Sequence, residues 1–238
     1  MGIEDKIYIF DDIVPVATQN MLFLYAMKFS RFKYTPRTAD NRLFADNLEG
    51  ENVYEDLQMV SMVMNREKGP WGELRYDFRH KSQLPLILSP LINTLAHHNY
   101  ILDLEEIERV KFNLQFQINK KYKNMHNTPH IDHSPSLDTM WSGIYYANDS
   151  DGDTIFFELE DNISASDFFN ENNSKIRDEY YKKYKDLKIL KRIKPKKGRF
   201  VFFKNNIPHA GSNPINFKER LVINYNINFK EGLRDQFL

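Results

Sequence analysis

His130-Ile131-Asp132 sets an imidazole and a carboxylate two positions apart, and in an extended segment side chains two apart leave the same face. Such a pair makes two-thirds of the facial triad that binds non-haem Fe(II). With seven histidines in the chain, one His-x-Asp carries little by itself, so its surroundings decide. The candidate third ligand is His209, far enough along the chain to need a different strand, and Arg220 follows eleven residues later. Two imidazoles and a carboxylate on one side of Fe(II) leave three positions open. An α-keto acid can fill two of them and O2 the third. The distal carboxylate of such a co-substrate calls for a buried cation, which a planar Arg fork suits. In Arg220-Leu221-Val222-Ile223-Asn224, alternation puts Arg220, Val222 and Asn224 on one face, and an Arg opening an apolar strand calls for a partner.

The elements that must position these residues are legible as strands. Lys111 to Asn119 alternates apolar and polar residues over nine positions. Phe112, Leu114, Phe116 and Ile118 suit a hydrophobic layer; Asn113, Gln115, Gln117 and Asn119 form a row of amides. That row is either a solvent face or the inner wall of a polar pocket. Further strands are expected over Thr139–Ala147, over Thr154–Glu158 after a turn at Asp151-Gly152, over Arg199–Phe203 and over Arg220–Asn228.

The front of the chain reads differently. Lys6–Phe10 is expected to be a strand, and Thr18 to cap a helix with Met21, Leu22, Tyr25, Phe29 and Phe32 along one side. A loop is expected over Thr35–Asn52, and a second helix over Val53–Met64 from the spacing of Val53, Leu57, Val60 and Met64. In the Gly69-Pro70-Trp71-Gly72 turn, the Trp either lines a pocket or plugs the core. A third helix is expected over Ser82–Asn99, with Pro85 in its first turn and His97 and His98 complementing its C-terminus. The whole reads as one domain over 1–238, with a strand and helical support over 1–109. A jelly roll or barrel follows over 110–229, interrupted by a helical insertion at about 160–195.

Two other clusters compete for a role. Asp149-x-Asp151-x-Asp153 with Glu160 mimics a calcium loop, but Thr154 stands where the sharp bend needs Gly and the flanks are β-rich, so an Asp-rich hairpin turn is the reading. The basic run from Lys182 to Lys197 carries a packing stripe of Tyr180, Tyr184, Leu187 and Leu190, and reads as a solvated helix face rather than a phosphate grip. His126 is expected at the surface of a loop. His133, next to Asp132, is expected to point away from the metal.

Composition narrows the classes. At 238 residues, 41% hydrophobic and 14% aromatic, the chain can fill a real core. With 33 basic and 33 acidic residues, bulk charge makes no case for nucleic acid or an anionic membrane. No cysteine is present, which excludes disulfides, thiol nucleophiles, Cys-bound zinc and iron–sulfur clusters and leaves His and carboxylate as metal ligands. No apolar run approaches the roughly 18 residues of a membrane span. The N-terminal residues lack a signal-peptide pattern, and Lys6 stands where a myristoylation signal wants Ser or Thr. A soluble cytoplasmic protein is expected.

The ordered set His130-x-Asp132, Ile144-Tyr145-Tyr146-Ala147-Asn148, Gly152-x-Thr154-x-Phe156, Lys197-Gly198-Arg199-Phe200-Val201-Phe202, Pro208-His209 and Arg220-Leu221-Val222-Ile223-Asn224 resembles the 2-oxoglutarate/Fe(II)-dependent oxygenases. Within them it is most similar to the prolyl-4-hydroxylase-like branch, which includes members encoded by phages. The resemblance spans roughly residues 108 to 229, and Ile7 to Pro15 is similar to that branch's usual start. It implies an α+β, mainly β fold: a double-stranded β-helix (jelly roll) with N-terminal supporting helices. It also implies iron held by His130, Asp132 and His209, and Arg220 paired with the distal carboxylate of 2-oxoglutarate. Tyr146 is the match for the tyrosine that assists that carboxylate, with Tyr145 on the other face, and Asn224 falls near the co-substrate. The family's tyrosine before the first ligand is replaced by Lys120, so Gln117, Asn119 or Tyr122 is expected to substitute.

The implied cofactors are Fe(II), 2-oxoglutarate and O2, with ascorbate a candidate addition. The implied reaction is hydroxylation of a small molecule, free amino acid or prolyl peptide, with release of succinate and CO2. Collagen-type prolyl hydroxylases often carry Lys where Arg220 stands, which argues against that substrate. A nucleic-acid dealkylase would carry a second Arg at position 226, where this chain has Asn. A non-catalytic jelly-roll module for a carboxylate or sugar and a zinc hydrolase on the same ligands remain as alternatives, though the hydrolase leaves Arg220 without a task. Neither a nucleic-acid nor a membrane partner is expected; in a phage-encoded protein the compartment would be the host cytoplasm, and the oligomeric state is open.

Overall fold

The computed structural model describes residues 6–35, 58–68, 74–127, 129–132, 140–158 and 187–229. In chain order these hold β1 (Ile7–Phe10), α1 (Val16–Phe29), β2 (Lys33–Thr35), β3 (Gln58–Lys68), β4 (Leu74–Phe78), α2 (Leu84–His97) and β5 (Ile107–Phe116). After them come β6 (Met140–Tyr146), β7 (Thr154–Phe157), β8 (Ile189–Ile193), β9 (Phe200–Lys204), β10 (His209–Gly211) and β11 (Glu219–Asn228). A large antiparallel sheet has the order β1-β9-β6-β11-β5-β3-β2, with β4 also on β3; a small sheet has the order β10-β7-β8.

Strand alternation sorts the side chains of the large sheet into two layers. On β6, β9 and β11, Tyr145, Phe200, Phe202, Leu221, Ile223 and Tyr225 face outward to one core. There they meet Leu22 and Ala26 of α1 and Ile87, Leu91 and Leu95 of α2. Each fully buried side chain of this kind contributes about 1.5–3 kcal/mol. Tyr225 also donates its hydroxyl to the carbonyl of Ile87 at 2.7 Å, fixing α2 to the sheet. The intervening residues Ile144, Tyr146, Val201 and Val222 face inward and pack on Phe156 and Ile193 of the small sheet. Two antiparallel sheets closed over an inner layer, with helices behind the larger one, make a double-stranded β-helix. No helix among the described residues is long and apolar enough to cross a membrane.

The strands expected from alternation are found within a residue of their predicted limits, except that β5 begins four residues before, and ends three residues before, the expected 111–119. The front section departs more. Residues 58–64, expected to be helical, belong to the eleven-residue strand β3. A bulge between Met62 and Met64 breaks its alternation, so that Val60 pairs with Asn113 of the pocket face and Met64 with Val110 of the core face. α1 begins at Val16 after Pro15, so Thr18 lies inside it and does not cap it. Its buried residues are Gln19, Leu22 and Ala26, whereas Met21 and Phe29 are 55% and 66% exposed. Phe32 lies beyond the helix, just before β2. The described end of the basic insertion, 189–193, is strand β8 rather than a helix face. The expectations for 36–57, for the Trp71 turn, for His133, for Glu160 and for the insertion over 159–186 lie outside the described residues.

Candidate functional site

The two histidines meet through the backbone. His130 and His209 form an isolated antiparallel bridge in which each N–H donates to the other's carbonyl at 2.9 Å. Directly opposed residues of such a bridge send their side chains to the same face, and the two imidazole centroids lie 4.7 Å apart. Asp132 joins them from two residues on. The ligand atoms of His130, Asp132 and His209 all lie within 4.8 Å of one another.

His209 and Asp132 are each held in a form that could ligate a metal. His209 is 3% exposed, and its Nδ1 donates to the carbonyl of Ile207 at 3.1 Å, which leaves Nε2 as the atom that could coordinate a metal. Burial keeps this imidazole's pKa below the usual histidine value, against the pull of Asp132, so it is neutral and able to ligate. Asp132 is 5% exposed. Burial opposes its ionisation, but the groups around it, His209, Arg109, Lys111 and His130, together outweigh burial and hold its carboxyl well below the usual carboxylate range.

A polar cradle fixes Asp132. Its Oδ1 accepts from Arg109 Nη2 at 3.3 Å, and its Oδ2 accepts from Asn226 Nδ2 at 2.8 Å and Ser142 Oγ at 2.9 Å. Its backbone carbonyl accepts from Asn205 Nδ2 at 2.7 Å. Arg109 Nε in turn donates to Asn226 Oδ1 at 2.9 Å, so the cradle is tied together across β5 and β11.

The same pocket continues along those two strands, lined by Lys111, Asn113 and Gln115 of β5 and by Arg220, Val222 and Asn224 of β11. Arg220, 4% exposed, stands opposite Gln115 in the register. Its Nε donates to the carbonyl of Gly152 at 2.8 Å, Nη1 to Gln115 Oε1 at 2.7 Å and Nη2 to Thr154 Oγ1 at 2.8 Å. All three acceptors are neutral, and no carboxylate hydrogen bonds this arginine among the described residues. Gly152 is required for this approach. A Cβ there would lie 2.3 Å from the carbonyl oxygen of Ser212 and 3.1 Å from Arg220 Cδ. Tyr146 is fully buried, and its hydroxyl donates to Thr154 Oγ1 at 2.6 Å with its ring beside the Arg220 guanidinium. Burial raises its pKa, so it stays protonated.

His130, Asp132, His209, Arg220 and Asn224 therefore line or border one pocket, and Tyr146 reaches it through Thr154. Gln117 does not: it is exposed and donates to the carbonyl of Ile215 at 2.7 Å, outside the pocket wall. Asn119 caps the 3-10 turn Lys120–Tyr122, and neither it nor Tyr122 lines the pocket. The amide row of β5 is the pocket wall at Asn113 and Gln115, with Gln115 on Arg220. His126 is buried rather than at the surface, its ring 5.0 Å from that of Phe157. The Asp-rich turn serves a loop: Asp151 accepts from the backbone N–H of Ile215 and Asn216, each at 2.9 Å.

Sequence reasoning missed Arg109, Lys111, Ser142, Asn205 and Asn226. Arg109, Lys111 and Ser142 share the period-two face of the residues it singled out on β5 and β6. Asn226 lies on the face of Arg220 and Asn224, so extending that alternation by one step would have found it.

Two neutral-capable imidazoles and one ionised carboxylate, converging at a pocket with open space beside them, fit the donor set of non-haem Fe(II). The unpartnered Oδ1 atoms of Asn113 and Asn224, both buried in the pocket wall, mark it as a place built to be filled.

Comparison with known proteins agrees. Residues 116–228 match the sequence model of the 2OG-Fe(II) oxygenase superfamily. No curated protein sequence matches the chain significantly. Among solved structures, an oxidoreductase of the 2OG-Fe(II) oxygenase family from Burkholderia pseudomallei is similar at a TM-score of 0.58 and 9% identity, over 96% of this chain and 88% of that one. The alpha-ketoglutarate-dependent epimerase SnoN of nogalamycin biosynthesis is similar at 0.53 and 12% identity, over 94% and 78% of the two chains. A prolyl-4-hydroxylase from Pseudomonas putida is similar at 0.50 and 14% identity, over 94% and 93%. At these identities the structures speak for the fold.

Proposed function

Because this chain belongs to the 2OG-Fe(II) oxygenase superfamily, whose members depend on Fe(II) and 2-oxoglutarate, we propose that His130, Asp132 and His209 hold its iron and that Arg220 takes the distal carboxylate of 2-oxoglutarate. The observation that carries this reading is Arg220, a buried cation in the triad's own pocket with only neutral acceptors around it. A buried charge hydrogen-bonded only to neutral groups is costly, with Asp153 acting on it through its field alone, and a dicarboxylate anchored there supplies a directly bound anion.

Iron bound by the triad supplies a centre at which 2-oxoglutarate and O2 meet, so that loss of CO2 from one is coupled to reduction of the other. The chain's own residues do the positioning. Arg220 and Thr154 orient the co-substrate from its far end, and Tyr146 fixes Thr154. The Arg109–Asn226–Ser142 cradle keeps Asp132 ionised and aimed. Val222 and Ile144 form the apolar part of the wall and limit water in the pocket.

The product set is succinate, CO2 and a hydroxylated small molecule or peptide, as in the prolyl-4-hydroxylase-like branch. A carboxylate-binding module would need Arg220 but not three converging ligands, and a zinc hydrolase would need the ligands but not Arg220. Mass spectrometry of a metabolite and peptide extract incubated with the protein tests the reading. A product one oxygen atom heavier should form only with Fe(II) and 2-oxoglutarate; the same product in excess chelator would contradict it.

A further inference from the structure

One charged residue of the pocket wall makes no hydrogen bond to the triad or to Arg220. Lys111 lies two residues before Asn113 and four before Gln115, so its side chain enters from the same face of β5. Among the described residues its ammonium has neither an ion pair nor a hydrogen bond. Asp132, whose field it feels, has its carboxylate oxygens occupied by Arg109, Ser142 and Asn226. Burial and the neighbouring Arg109 hold the Lys111 pKa down to about 8.

Its surroundings are unmatched too. Asn224 stands directly opposite Lys111 in the β5–β11 register, and Asn113 is the next inward residue on β5. These two are 7% and 9% exposed, and the Oδ1 of each has no partner. A cation and two amides side by side, all unsatisfied, describe a polar ligand that brings an anionic group together with donors of its own.

Arg220 does not compete for that anion. It stands opposite Gln115, four residues along the strand from the Lys111–Asn224 pair, or roughly 13 Å of backbone. The four C–C bonds of 2-oxoglutarate, each about 1.5 Å, extend it by no more than roughly 6 Å. A co-substrate anchored at Arg220 and reaching the triad leaves the Lys111 end for a second molecule.

We propose that Lys111, flanked by the amides of Asn113 and Asn224, binds a carboxylate of the substrate to be oxidised, which makes this oxygenase selective for an anionic substrate. The proposal rests on the assignment of the triad and Arg220 made above.

The test uses full-length protein loaded with redox-silent Zn(II) and N-oxalylglycine, an inert 2-oxoglutarate analogue. Acetate is the probe and acetamide its neutral counterpart, both followed by ligand-observed NMR. Wild type should bind acetate and not acetamide. Lys111→Met should weaken acetate binding about tenfold or more, and Lys111→Arg should retain it. Lys111→Met should still bind Zn(II), and its 2-oxoglutarate affinity should stay within about twofold of wild type. Equal acetate binding by wild type and Lys111→Met would overturn the proposal. So would a loss of 2-oxoglutarate affinity in Lys111→Met as large as that in Arg220→Met, which would give Lys111 to the co-substrate instead. Failure of the wild type to bind Zn(II) or 2-oxoglutarate appears in the first titrations; it would overturn the assignment of the pocket itself, and the proposal with it.

Discussion

Asn226 donates its amide to Asp132 Oδ2 at 2.8 Å, while its own oxygen accepts from Arg109, which reaches the other carboxylate oxygen. The residue that argues from sequence against a nucleic-acid dealkylase is thus the keystone of the cradle around the candidate iron ligand. Asn226→Ala removes one donor to Asp132 and releases Arg109. Metal affinity should fall about 10- to 100-fold, the usual effect of losing an outer partner of a ligand. Titration with Zn(II) checks it, and an unchanged affinity would leave the cradle without a role.

Arg220 should separate metal binding from co-substrate binding. Arg220→Met removes a buried charge whose truncation costs about 2–5 kcal/mol of ligand binding, so the Kd for 2-oxoglutarate should rise roughly 30-fold or more. The Zn(II) affinity should be retained, because Arg220 touches none of the three ligands. Calorimetric titration of both variant and wild type reads the two quantities independently.

Gly152→Ala should act on the same arginine from outside the pocket. Its Cβ would fall 2.3 Å from a backbone oxygen that cannot retreat like a side chain, and 3.1 Å from Arg220 Cδ. Overpacking of this kind costs about 1–3 kcal/mol. The thermal midpoint should fall, and the KM for 2-oxoglutarate should rise together with it.

Much of this site is legible in the sequence because period-two alternation carries through strands buried on both sides. His130, Asp132, Arg220, Asn224 and Tyr146 all stand where that period puts them. Gln117 does not, because β5 ends at Phe116 and the pocket wall ends with Gln115. β3 is illegible for a related reason: its bulge at Met62–Met64 breaks the period. Lys111 and Arg109 escape notice because a cation alternating with apolar residues normally marks a solvent face. Only the fold, which brings Asp132 over them, makes that face an interior.

Lys111 carries a stability consequence of its own. A mostly buried cation that has no ion pair or hydrogen bond among the described residues, and only the more distant field of Asp132, disfavours the ligand-free fold. Lys111→Met, of similar shape, should therefore stabilise the ligand-free protein by about 1 kcal/mol, or roughly 2–4 °C in Tm. A lower Tm would mean that the ammonium is matched in the ligand-free state.

Asp151 predicts a pH dependence. Burial opposes its ionisation, but the N–H groups of Ile215 and Asn216 outweigh burial and hold its pKa below the usual value. A folded-state pKa below the unfolded one of about 3.9 gives stability that is present above that pH and lost as pH falls through the folded value. Asp151→Asn should lower Tm at neutral pH and flatten its decline below about pH 4. Parallel Tm–pH curves for the two proteins would contradict this.

The central claim is that His130, Asp132 and His209 hold an iron at which 2-oxoglutarate is consumed. It is tested most directly by measuring succinate released from 2-oxoglutarate by the purified protein under air with added Fe(II). Wild type should give succinate and CO2 in equal amounts, with none in excess chelator and none from Asp132→Ala or His209→Ala, both still folded by circular dichroism. Succinate formed at the wild-type rate by either variant, or by wild type in chelator, would contradict it.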